Sequence, residues 1–317
     1  MYNNLTILIP VWWRDKDRVV DTIESLKKHI EPRKIVLAGP ESMREYVHVD
    51  DPIVEYVDGN TIVPNMSRER VEELISRRQS EANVEVDTSR AGWLFQQFIK
   101  LGFAEFSKDE EYLVWDADVL LLNDFEIKKD GKPKFFLYDR HLHVEYLPAI
   151  KSMLGENIRP QGEYTFVNHY MVFEGEMVRR MLSDIGNNEN IEGEFWWEKC
   201  VNAIPLPELT ESGFSEFETY GEYVISRYPE QYVYEFGYNH LLRSKRYFGE
   251  TVSEEFQKWL SDEYMTIGFE GYDIPDDYWI KQTVKAYEQG KRFSRVEKRD
   301  IFRAKIEELV NKMKKPN

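Results

Sequence analysis

The sequence predicts an α/β protein: a mainly parallel sheet flanked by helices, followed by a C-terminal helical extension. Short apolar runs rich in β-branched residues predict the strands, and helical-period segments between them predict the crossovers. A basic helical-period stretch near the end predicts the extension. The apolar runs do not alternate inward and outward residues, so both faces are covered, as in parallel strands packed between helix layers. Alternating strands and helices imply βαβ units with ligands at the carboxyl ends of the strands.

Leu5–Pro10 is the first such run, stopped by its proline. Asp17–His29 carries Val19, Val20, Ile23 and Leu26 at helical spacing, Pro32 closes it, and Lys34–Gly39 is a second buried strand. Ile53–Val57 gives a third strand ending at Asp58-Gly59, and Val71–Arg78 a polar helix. Ala91–Phe106 reads as a helix with Trp93, Leu94, Phe98, Leu101 and Phe103 on its apolar faces, leading into the strand Tyr112–Trp115. Phe135–Tyr138, Thr165–Phe173 and Val233–Phe236 are further strand candidates. Lys291–Lys315 places Val296, Ile301, Phe302, Ile306, Leu309, Val310 and Met313 at broadly helical spacing among basic residues. A terminal helix packed on the core is the expectation there, with a membrane or partner surface as the alternative. Residues 1–250 are expected to form the main domain and residues 251–317 the extension packed on it.

The chain has 317 residues, with 42% hydrophobic and 14% aromatic content, enough apolar surface to offset the entropy of ordering. Its 42 Lys and Arg stand against 58 Asp and Glu, a net charge of −16 that repels nucleic-acid phosphates. A small anionic substrate would settle only where a cation or a local basic pocket reverses that field. Cys200 is the single cysteine, which excludes an intrachain disulfide and a cysteine-held metal cluster. With no basic leader and no apolar run of membrane-span length, the expected location is the cytoplasm or the inner membrane surface.

Between the apolar half-strands Tyr112–Trp115 and Val119–Leu122 lies Asp116-Ala117-Asp118. Unpaired carboxylates buried there would be costly, so something must neutralise them. Two carboxylates at alternate positions can share a hard divalent cation that also bridges substrate phosphates, and Mn²⁺ or Mg²⁺ would suit.

A first strand entering Ile9-Pro10, the Trp115-Asp116-Ala117-Asp118 strand end and the Gly92-Trp93-Leu94-Phe95-Gln96-Gln97-Phe98 helix together resemble GT-A glycosyltransferases, whose core is Rossmann-like. With Phe166-Val167-Asn168-His169 and Ser215-Glu216-Phe217-Glu218, the sequence is similar to a poorly characterised bacterial branch of that superfamily, over roughly Leu5 to Leu242. The resemblance implies a nucleotide-sugar donor, UDP- or GDP-linked, and a glycan or glycolipid acceptor, as in surface polysaccharide or glycoconjugate assembly. By the same resemblance Asp118 is the firmer metal ligand, Asp116 reaches the donor ribose or sugar, and a histidine from a later segment, His169 or His240 in Gly-Tyr-Asn-His, completes the metal shell, with His240 better placed after an apolar strand candidate.

Other candidates are read from residue chemistry. Trp12 and Arg14, after the Pro10 strand end, suit base stacking and phosphate or ribose contacts. Arg90 and Lys100 flank the helix that bears Trp93, and either could neutralise phosphate, while Gln96 or Gln97 could hydrogen-bond sugar hydroxyls. Asn168 and His169 are polar within an apolar run, which favours a site or a satisfied internal hydrogen bond. Glu216 and Glu218 open a helix capped by Ser215 and are the candidates for the base that deprotonates an acceptor. An acidic helix of an acidic protein ordinarily turns such charges to solvent. A metal-dependent nucleotidyl or phosphoryl transferase could use the same carboxylate pair, and a non-catalytic carbohydrate-binding relative could retain the fold.

Overall fold

The computed structural model describes residues 4–47, 50–124, 126–138, 142–155, 158, 163–236, 240–241 and 243–314, with side chains to residue 306. The chain divides into two compact units, Met1–Ala117 with Glu126–Tyr238, and Asp118–Phe125 with Asn239–Asn317. The boundary expected at residue 250 therefore falls inside the second unit, which also takes the segment after Ala117.

The chain opens with β1 (Thr6–Pro10), α1 (Val19–Ile30), β2 (Lys34–Gly39), β3 (Val54–Asp58), α2 (Arg68–Glu81), α3 (Ala91–Ser107) and β4 (Glu111–Trp115). The local causes are those visible in the sequence. Helix α1 ends at Glu31 in the left-handed region (φ 53°), one residue before Pro32. Ser67 caps α2 by accepting the Arg70 N–H at 3.2 Å. Beyond β4 come β5 (Val119–Leu121), β6 (Lys128–Lys129), β7 (Lys132–Leu137), α4 (Leu147–Leu154), β8 (Tyr170–Glu174), α5 (Gly175–Gly186), α6 (Trp196–Ala203), α7 (Glu216–Arg227) and β9 (Val233–Phe236). The last elements are β10 (His240–Leu241), α8 (Ser244–Phe248), α9 (Glu254–Ser261), β11 (Thr266–Gly268), α10 (Asp277–Glu288) and α11 (Ser294–Lys314).

In the first unit the central sheet has the order β3-β2-β1-β4-β8. It is parallel except where β8 runs antiparallel to β4. The strand expected over Thr165–Phe173 is shorter at its start: Thr165 makes only an isolated bridge to Tyr138, and the ladder begins at Tyr170. The mainly parallel sheet thus closes at this edge with an antiparallel strand. A second sheet, β6-β7-β9, completes this unit. Its core is strongly aromatic, with Phe98, Phe103, Tyr112, Phe173, Phe217 and Tyr220 in one buried cluster. Tyr112 packs edge-on against Phe173, ring centroids 5.5 Å apart.

The second unit has its own small sheet, β10-β11-β5, and its own core of Leu120, Leu260, Ile267, Phe269, Trp279 and Phe293. Phe293 and Val296, at the start of α11, are buried in that core, whereas Ile301, Phe302 and Ile306 further along the helix are exposed. Leu309, Val310 and Met313 lie outside the described side chains. Among the described residues no helix is long and apolar enough to cross a membrane.

Candidate active site

In the first sheet β1 leads by its crossover to β2 on one side, while β4 lies on its other side. The chain direction across the sheet reverses between β1 and β4, and the crevice outside their carboxyl ends is where open α/β sheets bind ligands. Pro10 ends β1 and Trp115 ends β4, so Trp12 and Asp116 both stand at that edge.

Asp116 continues the β4–β8 pairing, its N–H bonded to the His169 carbonyl at 2.9 Å. One oxygen of its carboxylate pairs with the Lys100 ammonium at 2.9 Å, and the other lies 3.3 Å from His169 Nδ1. The same ammonium lies 2.7 Å from a Glu216 oxygen. Lys100 comes from the third turn of α3 and Glu216 from the first turn of α7, so one buried cation joins a helix face, a strand end and a helix start. A carboxylate at the N-terminus of α7 is favoured by the helix dipole as well. The Gln97 side-chain oxygen accepts the Glu216 N–H at 3.4 Å.

Burial alone would lower the Lys100 pKa, but the Asp116 and Glu216 carboxylates outweigh it and hold the ammonium above its ordinary range. Burial would raise Asp116, yet Lys100 and His169 overcome that and hold it down at about 2. Asp116 is therefore a permanent anion and hydrogen-bond acceptor at neutral pH. Glu216 goes the other way: burial pushes its carboxyl up against the pull of Lys100.

The acid-rich helix departs from expectation. Glu216, Glu218 and Glu222 are 1%, 2% and 0% exposed, so the solvated face predicted for these charges does not exist. The reason is close packing: at Gly221 a Cβ would stand 2.2 Å from the Phe166 ring, so only glycine lets α7 approach the segment before β8. Next to that contact Glu218 accepts the Thr165 hydroxyl at 2.6 Å and the Phe166 N–H at 2.8 Å, while Ser215 caps the helix by accepting the Glu218 N–H at 3.2 Å. Burial raises the Glu218 carboxyl against those bonds. Glu218 thus anchors the segment that presents Asn168 and His169. Asn168 is buried and accepts the His169 N–H at 2.7 Å, the internal hydrogen bond that its polarity required.

Around Trp12 the structure adds a residue the sequence reading missed. The Arg68 guanidinium lies over the Trp12 ring, 5.3 Å from its centroid, and its Nε is 3.5 Å from where a Cβ at Gly92 would stand. Arg68 follows the Ser67 cap directly, and a basic residue beside a helix start was the only available signal. The Trp12 N–H bonds to buried Asp15 at 2.9 Å, which fixes the loop after β1. Arg14 points outward, its side chain 66% exposed and 3.5 Å from Asp15. Arg90 stacks over Trp93 at 5.6 Å. Trp93, Gln96, Gln97 and Lys100 are spaced i, i+3, i+4, i+7, so α3 offers them on one face. Gln96 is half-buried there.

Of the residues expected to hold metal, Asp116 belongs to the first unit, and Asp118 and His240 to the second. In the second unit the Asp118 carbonyl accepts the Phe269 N–H at 3.0 Å. His240 Nδ1 is hydrogen-bonded to the Thr266 hydroxyl, and its Nε2 faces Gly268, 3.4 Å from a Cβ placed there. Glu270 Oε1 is 3.6 Å from the same point, a carboxylate the sequence reading did not single out. Among the described residues no group of three or more His, Cys, Asp or Glu side chains is arranged to hold an ion. Oxygen donors of this kind fit Mg²⁺ or Mn²⁺ when substrate phosphates complete the shell, the usual arrangement for Mg²⁺, rather than as an all-protein cage.

The fold and these residues define an α/β protein with a charge cluster of Lys100, Asp116, His169 and Glu216 at the carboxyl ends of its central strands. Residues 3–304 match the model of the Family of unknown function (DUF6492), and the chain belongs to that family. No curated protein matches it. Solved structures similar to it include the galactosyltransferase LgtC in complex with donor and acceptor sugar analogs, at 11% identity over 84% of this chain and 88% of that one, TM-score 0.40. Mouse xyloside xylosyltransferase 1 in its apo form is 10% identical over 86% of this chain and 99% of that one, TM-score 0.46. The bifunctional glycosyltransferase WbbM is 8% identical over 86% of this chain and 46% of that one, TM-score 0.40. At such identities and TM-scores neither activity nor substrate carries over from these proteins.

Proposed function

We propose that this chain is a metal-dependent glycosyltransferase of the GT-A type. It would move a sugar from a UDP- or GDP-linked donor to a hydroxyl of a glycan or glycolipid acceptor, in surface polysaccharide or glycoconjugate assembly. The observation that carries the reading is the ionised Asp116 at the β4 strand end, held by Lys100 and His169 at the switch point of the sheet. An anion fixed in that position accepts hydrogen bonds from ribose or sugar hydroxyls without reorganising.

Trp12 and Arg68 supply a stacking face and a cation for the nucleotide. Asp118 and His240 would hold Mn²⁺ or Mg²⁺, and the cation would supply positive charge against a diphosphate leaving group. Lys100 and Glu216 set the position and charge of Asp116, and Glu218 sets the segment carrying His169. The expected proton acceptors, Glu216 and Glu218, thus act in this reading as positioning groups.

The test is a thermal-shift panel of nucleoside diphosphates and their sugars, each with Mn²⁺ and with EDTA. A ligand at about a hundred times its Kd stabilises by about 2.7 kcal/mol. One nucleotide family should stand out, and only with metal. A uniform absence of shifts would refute the reading.

A further inference from the structure

Helix α11 carries a second surface with a chemistry of its own. At about 100° per residue, Arg295, Lys298, Arg299, Phe302, Lys305 and Ile306 fall within an arc of roughly 120°. All six are exposed, Phe302 at 66% and Ile306 at 45%. No acidic residue falls in that arc. The acids of the same stretch are turned away and engaged: Glu297 accepts the Tyr264 hydroxyl at 2.7 Å, and Asp300 accepts the Tyr247 hydroxyl at 2.8 Å and Arg246 at 2.9 Å. Val296 and Phe293 anchor the opposite side in the core of the second unit. A chain of net charge −16 thus displays four cations around an exposed phenylalanine and isoleucine on one helix face.

We propose that this face docks the protein on an anionic lipid surface. The helix lies in the interface, with Phe302 and Ile306 entering the acyl boundary and the four cations meeting lipid phosphates through snorkelling stems. Charge complementarity selects this occupant. A symmetric contact with a second copy would set the same four cations against one another, whereas each basic residue near an anionic leaflet strengthens partitioning about fivefold. The inference is independent of the activity proposed above, because it uses no residue of the crevice.

The test is co-sedimentation of the full chain with phosphatidylcholine vesicles containing or lacking phosphatidylglycerol, at low and high salt, with light scattering for oligomeric state. Binding should require phosphatidylglycerol and fall at least tenfold at high salt. Phe302→Ser and the double variant Lys298→Glu, Arg299→Glu should each weaken it at least tenfold with unchanged melting temperature. The double variant separates charge from apolar insertion. Equal binding to both vesicle types, no binding, or a dimer whose formation the Phe302→Ser variant abolishes would each overturn the proposal.

Discussion

Lys100 and Glu216 meet at 2.7 Å although more than a hundred residues separate them, and both are almost wholly buried. The contact fastens α3 to α7, and through the second bond of Lys100 to Asp116 it fixes the end of β4. A buried cation shared by two carboxylates gives little net stability over an apolar alternative, but removing one member leaves uncompensated charge. Its worth lies in fixing the Asp116 carboxylate.

Lys100→Met should therefore be strongly destabilising, by about 3–5 kcal/mol, because two carboxylates lose their counter-ion in a low-dielectric site. Adding Glu216→Gln should recover part of the loss, and a double-mutant cycle by chemical denaturation measures the coupling. Independent, additive effects of the two substitutions would refute the shared ion pair.

The depressed Asp116 pKa sets a pH window. Held at about 2 in the folded state against an ordinary 3.8, the ionised carboxylate contributes stability above about pH 4, and that contribution is lost as pH falls toward 2. Wild type should thus exceed Asp116→Asn in melting temperature at pH 6, and the gap should close between pH 4 and 2. A constant gap across that range would show that the carboxylate's charge is not what stabilises the wild type.

Glu218→Gln should separate structure from chemistry. Thr165 and Phe166 both donate to the same Glu218 oxygen, so a glutamine oxygen in its place keeps both bonds but as a weaker, neutral acceptor, and a loss of about 1–2 kcal/mol is expected. Nucleotide binding per folded molecule should stay near wild type, as calorimetric titration below the melting range would report. Unchanged stability with abolished turnover would return Glu218 to the role of acceptor base.

Much of the frame was legible because its signals are local. The apolar runs at β1, β2 and β4, the proline after α1 and the Ser215 cap each carry their cause in a few adjacent residues. Asp116 was legible for the same reason, as a polar residue where polarity is costly. What could not be read depends on contacts distant in sequence. The Lys100–Glu216 pair, Arg68 over Trp12 and the approach of α7 to Phe166 at Gly221 all join segments whose spacing says nothing of their meeting. Burial of three glutamates on one helix runs against composition, and only tertiary packing decides it. The two-unit division was hidden too, since Asp118–Phe125 joins a unit otherwise built more than a hundred residues later.

The last prediction concerns Asp118, which follows the break between the units and is the residue proposed to bind metal. Asp118→Asn preserves size and weakens the ligand's charge, so metal-dependent nucleotide binding should fall at least tenfold while the fold survives. The fold is expected to survive because the Phe269 N–H bonds to the Asp118 carbonyl, which the substitution leaves in place. Asp116→Asn should behave differently: its carboxylate is tied to Lys100 and His169, so stability and nucleotide affinity should drop together, with weak metal affinity retained. Titrating Mn²⁺ alone and then nucleotide into each variant, alongside metal-free melting curves, distinguishes the two roles. An Asp118→Asn protein that melts normally and binds nucleotide with wild-type, metal-linked affinity would remove Asp118 from the metal site and leave the proposed transferase chemistry without its cation.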